Sequence, residues 1–156
     1  MPRYAENTQV SSDRSRAEIE RILFRYGADK FAYATERARA QIAFEIGGRR
    51  IVFRLPLPDR DADEFRLTPS KKWERSEEEQ AKAYEQAVRQ RWRALALVIK
   101  AKLEAVDAGI TTIEDEFLAH IAIPGAGTVG DWLKPRLDEV YRGRELPALM
   151  PGGTDG

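Results

Sequence analysis

Cysteine is absent from the 156 residues, which excludes disulfides, thiolate metal sites and thiol nucleophiles together. A reducing cytoplasm fits that composition. Histidine occurs once, as His120, so an imidazole-based metal site or a serine triad has to run through a single ring. Neither sign of charge is in excess, with Lys+Arg and Asp+Glu at 26 each. No global field therefore draws in nucleic acid or a membrane surface, and any anion site depends on local clustering. No apolar run approaches the roughly 20 residues of a membrane span, and the N-terminus lacks an apolar stretch of signal-peptide type. A soluble intracellular protein is expected, with no membrane partner.

What is present suits one domain, because 42% hydrophobic residues supply one core of ordinary size. The segment 1–10 has no clear period and reads as an N-terminal arm, 11–145 as a single α+β domain, and 146–156, rich in Pro and Gly, as a flexible tail.

After the arm, Ser11 and Ser12 offer N-caps, Ser15 and Glu18 have capping-box spacing, and Ile19, Ile22, Leu23 and Tyr26 recur at helical intervals before Gly27. From Lys30 the period becomes two: Phe31 and Tyr33, then Ala40, Ile42, Phe44 and Ile46, then Ile51, Phe53 and Leu55. These predict a three-stranded antiparallel meander, with Gly47-Gly48 as a hairpin turn and Pro56 and Pro58 as the stop. Asp59 to Arg75 reads as a charged loop, mobile or functional, with Phe65, Leu67 and Trp73 as anchors.

Ser76 then opens a long amphipathic helix to Ala108, with Glu77, Glu78 and Glu79 in its first turn. Its apolar stripe of Tyr84, Val88, Trp92, Leu95, Ile99, Leu103 and Val106 is expected to pack on the sheet. Ala87, Ala94, Val98, Ala101 and Ala105 widen that face for a second helix. A small C-terminal helical part follows: a short helix capped by Thr111 or Thr112, a turn after Pro124, and a last helix capped by Thr128 with Val129, Trp132, Leu133, Leu137, Val140 and Tyr141 as its buried set. A three-stranded sheet leaves two edges open, so pairing across a dimer axis, and hence a homo-oligomer, is expected.

The chemistry-bearing patterns are weaker. Arg89, Arg93 and Lys100 fall on one strip of the long helix and Arg91 and Lys102 on a neighbouring one. With Arg49, Arg50 and Arg54 of the third strand they offer a patch that neutralises phosphates, with Trp73 of the loop, or Trp92 if exposed, to stack on bases. The plainer reading is a solvated helix flank with Trp92 in the core. Gly125-Ala-Gly127-Thr-Val-Gly130 has the form G-x-G-x-x-G, but too little chain follows for a dinucleotide fold, and a turn with a helix cap is expected. Asp59, Asp61 and Asp63 alternate like the start of a calcium loop, yet Glu64 and Ser70 stand where Gly and Glu are needed. Glu114, Asp115 and Glu116 suit the first turn of a helix. His120, among apolar neighbours, reads as a hydrogen-bonded structural residue. No catalytic residue, metal site or cofactor is expected.

The segments Arg3-Tyr-Ala-Glu-Asn-Thr8, Gly48-Arg-Arg-Ile-Val-Phe-Arg-Leu-Pro-Leu-Pro58, Arg91-Trp-Arg-Ala-Leu-Ala-Leu-Val-Ile-Lys-Ala-Lys-Leu-Glu104 and Gly109-Ile-Thr-Thr-Ile-Glu-Asp-Glu-Phe-Leu118 resemble a group of small bacteriophage and prophage proteins of unassigned function. The similarity runs from the N-terminal arm through Val129-Gly-Asp-Trp132. It implies a phage or prophage origin and action in the cytoplasm of the bacterial host, and it brings no site residue with it. The expected function is non-enzymatic nucleic-acid binding in phage DNA metabolism or host takeover. The alternative is an inhibitor of host defence, acting by contact with a host protein or by sequestering a phosphorylated nucleotide. A hydrolase using His120 with Glu114 or Glu116 comes third.

Overall fold

The computed structural model describes residues 3–145, with side chains from residue 13 onward, so the expected tail at 146–156 lies outside the described residues. The architecture is α+β. Helix α1 spans Arg3–Arg25, and strands β1 (Lys30–Thr35), β2 (Arg39–Ile46) and β3 (Arg49–Pro56) follow as an antiparallel meander. Helix α1 begins well before Ser11 and runs through the segment read as an arm. No Gly or Pro stands between Arg3 and Arg25, so nothing stops the helix from propagating, and Ser15 and Glu18 lie inside it.

Gly47 and Gly48 take φ of 59° and 73°, the pair of left-handed residues that a two-residue hairpin with the right twist needs. The turn sets the register Phe44↔Ile51 and Ile42↔Phe53. Ala40, Ile42, Phe44 and Ile46 therefore share one buried face with Ile51, Phe53 and Leu55. No described strand pairs with the outer edge of β1.

Short helix α2 (Asp63–Arg66) precedes the long helix α3 (Glu77–Asp107). Ser76 caps α3 by accepting the Glu79 N–H on its hydroxyl. Val88, Trp92, Leu95, Ile99 and Leu103 of α3 and Ile19, Ile22 and Leu23 of α1 close over the sheet as one core. Ala94, Val98 and Ala101 receive no second helix. They stand on the arc opposite the buried stripe and are exposed, while Ala96 is the alanine that the core takes in.

The C-terminal part comprises α4 (Ile113–Phe117), a 3-10 turn at Leu118–His120, the two-residue strands β4 (Ala122–Ile123) and β5 (Gly127–Thr128), and α5 (Val129–Tyr141). Phe117 anchors it, fully buried and edge-on to Phe44 and Phe53 at 5.9 and 6.0 Å. Ile121 bridges to Ile51 at the outer edge of β3.

Thr128 caps helix α5 as expected, but the expected buried set of the helix is largely outside. Trp132, Leu137, Val140 and Tyr141 are all exposed. The helix packs through its first turns, on the 3-10 turn and β5, and Lys134 to Glu145 are all exposed.

Candidate nucleic-acid interface

The basic residues singled out in the sequence divide into three sets. Those of β3 are neutralised locally: Arg49 pairs with Glu114 at 3.2 Å, Arg50 with Glu45 at 2.6 Å, and Arg54 with Asp131 at 2.7 Å. Lys30 joins the same Glu45 at 3.2 Å. The two cations, Arg50 before Lys30, hold the Glu45 carboxyl below its ordinary range by hydrogen bonding.

The second set lies on the flank of α3 that faces β3 and α4. Arg91 reaches the Pro56 carbonyl at 3.4 Å, and Lys102 donates to the Glu116 carboxylate at 2.9 Å and to its carbonyl at 3.2 Å. At about 100° of rotation per residue this flank is half a turn from Arg89, Arg93 and Lys100, with the buried stripe between them. The two strips are thus separate surfaces, not neighbours.

Arg89, Arg93 and Lys100 form the third set. All three are exposed, fall within roughly 40° of arc and span about 16 Å of helix axis. Among the described residues none of them has an ion pair or a hydrogen bond. Gln86, Gln90 and Leu97 line the side of the strip next to Arg89 and Arg93, whereas exposed Glu104 and Asp107 follow Lys100 on the same side, so the positive charge concentrates at Arg89 and Arg93.

The two tryptophans separate as sharply. Trp92 is 1% exposed, and Arg16 of α1 lies over its ring at 5.5 Å while also lying over Tyr33 at 4.2 Å. No base reaches that ring in the folded protein. Trp73 is 65% exposed, so it is a surface group instead of a loop anchor. Phe65 does anchor the loop: it is buried and edge-on to Tyr84 at 5.6 Å.

His120 stacks on Phe53 at 4.0 Å with the planes 16° apart and donates a ring N–H to the Val52 carbonyl. Burial is the main reason its pKa lies below the ordinary histidine value. Lys102, Lys134 and Arg54 add to the depression, and the Val52 bond opposes it. Glu114 and Glu116, the acids considered as its partners, are held by Arg49 and Lys102.

The glycine pattern has a structural use. Gly127 takes φ of 75°, and a Cβ on Gly130 would meet the Ala119 carbonyl oxygen at 2.9 Å. The start of α5 is filled by the chain itself. Thr128 accepts the Asp131 N–H, Asp131 accepts the Thr128 N–H, and Arg54 grips the same carboxylate. The acidic run at Asp59 is likewise occupied in part, since Asp59 accepts the Asp61 N–H at 3.0 Å and Asp63 pairs with Arg66 at 2.8 Å. A cleft of about 680 Å³ lies beside it, rimmed by Arg37, Arg60, Asp59 and Asp61 over Leu57 and Tyr84. Its mixed charge favours ligands of neither sign.

No family model matches the chain, and no curated protein or solved structure matches it either. The interface therefore rests on geometry and charge alone.

Proposed function

We propose that the chain is a nucleic-acid-binding protein that grips the phosphate backbone through Arg89, Arg93 and Lys100. The observation that carries this reading is their alignment on one exposed strip without a described carboxylate partner, whereas Arg49, Arg50, Arg54, Arg91 and Lys102 are tied to carboxylates or carbonyls. Phosphate contact of this kind positions a nucleic acid without reading its sequence. The setting that goes with it is phage DNA metabolism or host takeover inside the bacterial host. Fluorescence anisotropy of labelled oligonucleotides against the protein, at low and near-physiological salt, tests it. Saturable binding that weakens with salt supports the reading, and no binding at low salt rejects it.

Self-association belongs to the same proposal, supported by the open edge of β1 and the exposed apolar side chains of α5. A monomeric mass across a wide concentration range in sedimentation velocity would reject it.

A further inference from the structure

Trp73 is held on a constrained hairpin, although it stands in the segment whose length and charge suggested mobility. Leu67 and Glu74 form a β-bridge. Inside it the Thr68 N–H donates to the Trp73 carbonyl at 2.8 Å, the Trp73 N–H donates to the Thr68 hydroxyl at 3.0 Å, and the Lys72 N–H reaches the Thr68 carbonyl at 3.2 Å. Below it the Arg75 N–H donates to the Arg66 carbonyl at 2.7 Å, and the Arg75 guanidinium reaches the carbonyls of Glu64 and Phe65 at 3.3 and 3.4 Å. The Gln80 amide of α3 donates to the Arg75 carbonyl at 2.8 Å. Buried Phe65 roots this unit in the core.

The tip contains the one described non-glycine residue with positive φ, Lys72 at 56°. A lysine in that region is held there by its surroundings and not by its own preference. The outcome is a large aromatic ring kept in solvent with its backbone fixed. Lys71 stands over one part of the ring with Nζ 4.7 Å from the centroid, and Lys72 adjoins it in the chain. The setting is poor in net attraction for phosphate, because Glu74 and Glu77 to Glu79 stand within a few residues. What the tip adds is a flat π surface with lysines beside it.

We infer that Trp73 stacks on an unpaired base of a strand that crosses α3, from the strip of Arg89, Arg93 and Lys100 to the opposite flank where Gln80 ties the hairpin, so that the protein prefers a flexible single strand over a duplex; this rests on the backbone grip proposed for α3. Bases in a duplex are already stacked on both faces, whereas an unpaired base offers a free face to an exposed ring. Because stacking carries little charge, it adds affinity without steepening the salt dependence. The two contacts therefore leave separate signatures.

The test is anisotropy with a labelled oligothymidylate of about 12 nucleotides and a duplex of equal length, comparing wild type, W73A, W73F and the R89A/R93A/K100A triple variant across a salt series. Trp73 is largely exposed and outside the core, so W73A should keep the fold, checked by its thermal melt. W73A should lose roughly 5- to 150-fold in single-strand affinity with an unchanged salt slope and unchanged duplex binding, and W73F should recover part of the loss. The triple variant should flatten the slope for both forms. Equal single-strand binding by W73A and wild type overturns the stacking inference and leaves the α3 grip standing, even if W73A proves defective in a protein-contact assay. Absence of wild-type binding to either form at low salt overturns the grip and the inference with it.

Discussion

Arg54 and Asp131 meet in two parallel hydrogen bonds, Nη1 to Oδ1 at 2.9 Å and Nη2 to Oδ2 at 2.7 Å, across 77 positions of sequence. The same carboxylate accepts the Thr128 N–H at 3.0 Å. One side chain thus closes the cap of α5 and ties that helix to β3. It also removes Arg54 from any surface available to phosphate.

The pair predicts a pH dependence. Arg54 first, and the Thr128 N–H after it, hold the Asp131 carboxyl well below the usual carboxylate range. A depressed carboxylate contributes stability that is present above its unfolded value of about 3.9 and is lost as pH falls through the folded value. D131N should therefore melt below wild type at neutral pH, and the two should converge in strong acid. Parallel melts that keep a constant gap down to low pH would contradict this role.

The cap itself is accessible separately. Thr128 is buried and its hydroxyl accepts the Asp131 N–H at 3.2 Å, so T128A should cost about 1 kcal/mol, within the range of lost N-caps. Urea unfolding of T128A against wild type measures it.

Gly130 supplies a sharper contrast. An added Cβ meets a backbone oxygen of Ala119, which cannot swing aside as a side chain can. G130A should lose about 1–3 kcal/mol by overpacking, read from the same unfolding curves. Unchanged stability with altered affinity for free phosphate would instead favour a ligand-binding role for this glycine run.

Much of this architecture was legible because it depends on local signals. Two glycines with positive φ, the caps at Ser76 and Thr112, and the capping box of Thr128 and Asp131 each act within a few residues. The alternation from Ala40 to Leu55 was equally plain, since one face had to be buried. Relations that depend on packing were not legible. Nothing in the spacing of Leu137, Val140 and Tyr141 tells a covered helix from one that projects, and helical periodicity alone cannot say where α1 begins. The interface suffered most, because the ion-pair partners of Arg49, Arg54 and Lys102 lie 65, 77 and 14 positions away. Lys71-Lys72-Trp73 was visible as a string, but the hydrogen bonds that stiffen it were not.

His120 predicts a second pH effect of opposite chemical origin. A histidine whose folded pKa is lowered binds its proton less readily than the unfolded chain does. Its neutral form supports the fold fully above the unfolded value of about 6.5, and stability declines as pH falls from there toward the folded value. H120Q, which cannot titrate, should flatten the dependence in that window. Coincident pH profiles for H120Q and wild type would show that the ring does not titrate in a buried setting.

Three cations along α3 carry the proposed grip, so the most direct measurement is the salt dependence of oligonucleotide affinity for wild type and R89A/R93A/K100A. Three phosphate contacts correspond to a log–log slope of about −2 for a single strand and about −2.7 for a duplex, equivalent to a roughly 15- to 40-fold loss for a fourfold rise in salt. The triple variant should bind more weakly and lose most of that slope while its melting temperature stays near that of wild type. An unchanged affinity and slope in the triple variant would contradict the proposed grip.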